Sequence, residues 1–133
     1  MKKIDNFAGS LSVLKNAQFG KAAEDEIYRS GIIWQFGLTF ELAWKALQEI
    51  MRLHGVTEAV TGSPREILQL GYKHGFISDP AVWLSMLTKR NNAVHIYNEE
   101  DADDLVLLIQ NSYLPAFTVL EKTLREKLQA VQD

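Results

Sequence analysis

The segment Arg90–Tyr97, RNNAVHIY, holds the residue types best suited to proton transfer and phosphate chemistry in this chain. A histidine titrates near neutrality and can take a proton from a ribose 2′-hydroxyl. An arginine can hold a phosphate and the charge that builds on it in the transition state. Arg90 and His95 together have the means to cleave RNA without a metal. Four residues lie between them, and on an unbroken helix that offset turns the two side chains roughly 140° apart. The intervening Asn91 and Asn92 are poor helix formers that tolerate left-handed backbone, so a break there would bring Arg90 and His95 together. A plainer reading stays open: Arg90 sits on the dipole at its helix's C-terminus, and His95 satisfies a buried backbone group. Tyr97 stands two positions beyond the histidine.

Other chemistry-bearing residues have simpler explanations. His54 and His74 each precede a glycine where a helix is expected to end, a position that favours a cation or hydrogen-bonding group for local stability. Glu41 and Lys45 stand at i,i+4 in the favourable order and read as a surface salt bridge. The acidic run EEDADD, Glu99–Asp104, reads as a solvated first turn at the positive end of a helix dipole. All three tryptophans fall on or near apolar stripes and are expected to pack. No Gly-rich phosphate loop, nucleophile elbow or paired-carboxylate signature is present, and the sequence calls for no cofactor or metal.

The bulk properties bound the rest. A chain of 133 residues fits one domain, 1–133. With no cysteine, disulfides, zinc–thiolate sites and thiol nucleophiles are excluded. A net charge of −3 argues against broad, charge-driven nucleic-acid binding, though not against a small basic site. No apolar run approaches the ~20 residues that span a bilayer, and the N-terminus lacks a secretory pattern, so the expectation is a cytoplasmic protein with no membrane contact.

The apolar spacing is helical almost throughout. Ile4, Phe7, Leu11 and Leu14 predict a first helix. Ile33, Phe36, Phe40, Ala43, Leu47 and Ile50 mark the core face of a long second helix over 24–54, with Trp34, Leu38, Leu42 and Trp44 widening it. Gly31 and Gly37 within it imply close approach of a neighbouring helix. Ser63-Pro64-Arg65-Glu66 is a capping box opening a short helix that ends at Lys73-His74-Gly75. Asp79-Pro80 opens a fourth helix with Val82, Trp83, Met86 and Leu87, and Asn98 caps a fifth. The stripe of the fifth continues to Leu128, with Pro115 predicting a kink. The expected fold is all-α, an up-and-down helical bundle of four long helices and one short one.

In IWQFGLTFELAWKAL (Ile33–Leu47), SPREIL (Ser63–Leu68) and WLSMLTKRNNAVHIYNEE (Trp83–Glu100), and in their order, the chain resembles the nucleotidyltransferase substrate-binding proteins, a branch of the HEPN superfamily. The resemblance covers most of the chain, and FELAWK together with RN…HxYNE is its specific part. It implies a helical bundle that dimerises and is encoded beside a minimal nucleotidyltransferase, often as a toxin–antitoxin-like pair. In ribonucleases of this superfamily the motif is arginine, a polar residue, three others, then histidine, which Arg90, Asn91 and His95 match. In some pairs the tyrosine two places on is nucleotidylated, silencing the toxin, and Tyr97 holds that place. Ala93 and Val94 depart from relatives that carry small hydroxyl residues there. The first expectation is therefore a non-catalytic partner of a nucleotidyltransferase. The alternative is a metal-independent ribonuclease acting on an RNA substrate.

Overall fold

A computed structural model describes residues 1–93 and 98–132. His95 and Tyr97 lie outside the described residues. The architecture is an all-α bundle: α1 (Lys2–Lys15), a single-turn α2 (Phe19–Ala22), α3 (Glu26–Leu53), α4 (Pro64–Lys73), α5 (Pro80–Asn92), α6 (Glu99–Leu108) and α7 (Leu114–Gln132). A 3₁₀ turn, Thr57–Val60, lies between α3 and α4.

The 28-residue α3 is the spine against which the other helices pack. Asp25 caps it, accepting from the Tyr28 N–H at 3.0 Å. One face buries Ile32, Phe36, Phe40, Ala43, Leu47 and Ile50. Ile33 is only half-buried, because Ile32 takes the core-facing place the spacing assigns to it. α1 lies along α3 and buries Ile4, Phe7, Leu11 and Leu14, the four positions its spacing predicts. Ser10 and Thr39 share a buried hydroxyl–hydroxyl hydrogen bond of 2.7 Å between these helices.

Local signals in the sequence are borne out at several ends. Ser63 and Glu66 form a reciprocal capping box, each side chain bonding the other's backbone N–H at 3.2 Å. Gly55 and Gly75 follow their helices with φ of 81° and 80°, the left-handed region glycine enters freely. His54 meets the Lys127 carbonyl of α7 through Nε2 at 2.9 Å and lies edge-on to Phe76, so its side chain ties α3 to α7 where a role at its own helix end was expected.

Other expectations need correction. Trp34 does not widen the core face: it is 67% exposed, and Leu38 lies open beside it. The widened stripe spans more of the helix circumference than its neighbours cover. Gly31 meets no atom within 4 Å where a side chain would begin, so among the described residues no helix crosses close to it. Asn91 and Asn92 do not break α5; both are helical, and α5 ends after them. Pro115 follows a π-helical segment, Ile109–Tyr113, through which the helix runs without a break from α6 into α7. Proline has no N–H and its ring crowds the carbonyl four residues back, so a widened turn is a natural way to admit it.

Close approach falls at Gly71 instead. A methyl there would sit 2.9 Å from Leu47 Cδ2 and 3.1 Å from Ile77 Cδ1. Gly71→Ala is expected to destabilise the fold by about 1 kcal/mol, overpacking outweighing the gain in helix propensity. Gly31→Ala, in open space within a helix, is expected to stabilise it by about 0.5–1 kcal/mol. Urea midpoints of the two variants moving in the same direction would contradict this packing.

Candidate functional site around Arg90

Arg90 stands in the last turn of α5 with its guanidinium on α3. Its Nη2 donates to Glu41 Oε2 at 2.7 Å, short enough for a strong charge-assisted bond. Its Nη1 donates to the Asn91 side-chain oxygen at 3.3 Å. The Arg90 stem lies over Gly37, with Cγ 3.9 Å from where a Cβ would stand. At that distance a methyl would make ordinary van der Waals contact, so among the described residues the close approach expected at Gly37 is not found.

Glu41 is a hub. The same Oε2 accepts from Trp44 Nε1 at 3.1 Å, and Oε1 lies 3.3 Å from Lys45 Nζ. The Glu41–Lys45 pair read from the sequence is present, yet the closer partner is Arg90, from a distant part of the chain. Glu41, Trp44 and Lys45 stand at i, i+3 and i+4, on one face of α3. FELAWK and RN, the two segments that carry the resemblance, are thus joined by one carboxylate. Sequence reading finds both segments without finding the bond, because the partners are 49 residues apart.

A cleft of about 560 Å³ opens beside this pair, within the range of small-ligand sites. Among the described residues, Arg29, Trp34, Gly37, Glu41, Arg90 and Asn98 contribute to its walls. Arg29 is only 5% exposed and was not singled out by the sequence. Its Nη1 donates to the Ala22 carbonyl at 3.1 Å and lies 3.5 Å from Asp103 and 3.7 Å from Glu99. The acidic run of α6 is therefore in part a counter-charge for a buried cation as well as a favourable first turn. Asn98 caps α6, its side chain accepting from the Asp101 N–H at 2.8 Å. Ala93 and Asn98 line the same cleft on either side of the undescribed Val94–Tyr97.

Of the four positions singled out, the structure thus describes Arg90, half-buried on Glu41, and Asn91, exposed beside it. Elsewhere, burial pushes the Tyr113 hydroxyl above its usual pKa while Ser85, at 2.6 Å, opposes the shift, and Tyr113 serves the core as a protonated phenol.

The fold and the cleft together define a small helical bundle with a charged cleft between its longest helix and the end of α5. The family model described as nucleotidyltransferase substrate binding protein like matches residues 2–126, and the chain belongs to that family. It is also similar to a solved crystal structure of a protein from Thermus Thermophilus, with 27% sequence identity and a TM-score of 0.65, over 96% of this chain and 99% of that one. No match was found among curated proteins. No helix among the described residues is long and apolar enough to cross a membrane.

Proposed function

We propose that this protein is the HEPN-type partner of a separately encoded minimal nucleotidyltransferase, acting in the cytoplasm as a homodimer within a toxin–antitoxin-like pair. Family membership over residues 2–126 is the observation that carries the reading. The exposed face of α3, with Ile27, Trp34 and Leu38 open to solvent, is compatible with a subunit contact. The nucleotidyltransferase supplies the transfer chemistry, and this chain presents a substrate or is itself modified at Tyr97. Co-expression with the neighbouring nucleotidyltransferase should give a complex on affinity purification. Incubation with that enzyme and ATP should add one nucleotide mass, which Tyr97→Phe should lose. Failure of any complex to form, with no added mass, would sink the partner reading.

A second reading is a metal-independent ribonuclease with a composite site between subunits. Arg90 favours it: its side chain is 34% exposed, and Glu41 holds it on the wall of an open cleft. In this reading Arg90 clamps the phosphate, Asn91 supports it, and His95 is the general base. The two readings are compatible, since a toxin can be its partner's substrate.

A further inference from the structure

We infer that Trp44 is a positioning residue for Arg90, its indole N–H fixing the Glu41 carboxylate on which the guanidinium rests. For its catalytic consequence the inference rests on the reading in which Arg90 meets a phosphate. Arg90 Nη2 and Trp44 Nε1 donate to the same oxygen, Glu41 Oε2, at 2.7 Å and 3.1 Å. Whatever places that oxygen places the guanidinium.

Arg90 and Glu41 do not fix each other unaided. Their side chains are 34% and 27% exposed, and a pair so open to water favours the paired state only about 1.4- to 5-fold. Both side chains are long and rotamer-rich, so an unsupported pair would sample many arrangements. Two further groups reach Glu41 from its own helix, Trp44 at i+3 and Lys45 at i+4. Lys45 is the poorer holder. Its ammonium lies 3.3 Å from the other oxygen, Oε1, and its side chain is half exposed on a flexible stem. Trp44 is half-buried and packs against the core, its side chain turns about only two bonds, and its single N–H points one way. Glu41 therefore has a direction that does not depend on Arg90. Packing on α3 is passed through one carboxylate to an arginine at the end of α5.

Trp44→Phe keeps a ring on the core and removes the N–H. Phenylglyoxal labels guanidinium groups that are not engaged, and peptide mass spectrometry of the labelled full-length protein reads the rate at each arginine. Arg90 should label about 1.4- to 5-fold faster in Trp44→Phe, the factor by which such a pair is held. Glu41→Ala should reach the same range, and Lys45→Met should raise the rate less than Trp44→Phe does. Arg52 and Arg125, paired with other carboxylates, are internal standards and should label at unchanged rates. The coupling should also run backwards. Arg90→Ala should move the Trp44 indole N–H resonance, assigned by its loss in Trp44→Phe, because both donors share one oxygen. Where the wild type cuts RNA, Trp44→Phe should lower kcat, toward the roughly 10²-fold that a misplacement of about 1 Å costs, with KM little changed. The inference is overturned by an Arg90 labelling rate unchanged in Trp44→Phe, by a rise that Arg52 and Arg125 share, or by a larger rise in Lys45→Met. An unmoved indole resonance in Arg90→Ala, or a raised KM with kcat unchanged in Trp44→Phe, would overturn it as well. A wild type that cuts no RNA ends the ribonuclease reading, and the labelling and the resonance then decide the positioning role on their own.

Discussion

Trp83→Ala is expected to cost about 3–5 kcal/mol, the largest stability loss among the variants named here. Trp83 is 1% exposed, lies 6.2 Å from the Phe40 ring and meets Phe117 edge-on at 5.5 Å. Phe117 continues to Phe7 at 6.0 Å and to Phe36 at 6.3 Å, and Phe36 stacks on Tyr113 at 5.2 Å. This series of rings links α1, α3, α5 and α7 with the π segment, so truncation at Trp83 opens a cavity where four helices meet. Against a total stability of about 5–15 kcal/mol, the loss takes roughly a fifth or more of what holds a domain folded. Thermal and urea melts should show it beside a change within about 0.5 kcal/mol for the exposed Trp34→Ala. Equal losses at the two tryptophans would refute the division of core and cleft described above.

The second large effect is chemical. In the ribonuclease reading, wild-type protein cuts RNA in EDTA, and His95→Ala lowers the rate by about 10²–10⁴, the usual contribution of a general base. Arg90→Ala should act on the same step by removing the positive charge that meets the phosphate. Glu41→Gln separates positioning from charge: it keeps an acceptor for Arg90 but weakens the grip, so cleavage should fall less than in Arg90→Ala. These variants should melt close to wild type, because the Arg90–Glu41 pair is about one-third exposed and such pairs contribute only ~0.2–1 kcal/mol. Undiminished cutting by His95→Ala would end the ribonuclease reading and leave the partner reading standing.

Much of the scaffold was legible because its signals are local. The steps of three and four from Ile4 to Leu14, the Ser63–Glu66 box, the glycines after His54 and His74, and Asn98 before its acids each lie within a few residues of what they determine. What was hidden depends on neighbours. Trp34 has the same residue type as Trp83 and sits beside an apolar stripe, yet among the described residues no element covers it. Arg29 carries no motif, and only the folding of α6 onto α3 reveals its acids. For the site, the sequence located Arg90 and Asn91 but missed Glu41 as Arg90's holder, because an i,i+4 lysine offered a sufficient local explanation. His95 and Tyr97 rest on the sequence and the family resemblance, outside the described residues.

The π segment before Pro115 ties the register of the bundle to residue count. Leu105, Ile109, Tyr113 and Phe117 are all buried at successive steps of four. In a regular α-helix each such step drifts roughly 40° around the axis, so three would carry Phe117 about 120° off the core. The i→i+5 turn absorbs most of that drift by spending one extra residue, roughly 100° of rotation. Phe117, Leu120 and Leu124 face inward only because that residue is present upstream. A homologue lacking one residue in this stretch would have an unbroken helix there, with a different side of its last helix against the rest of the protein.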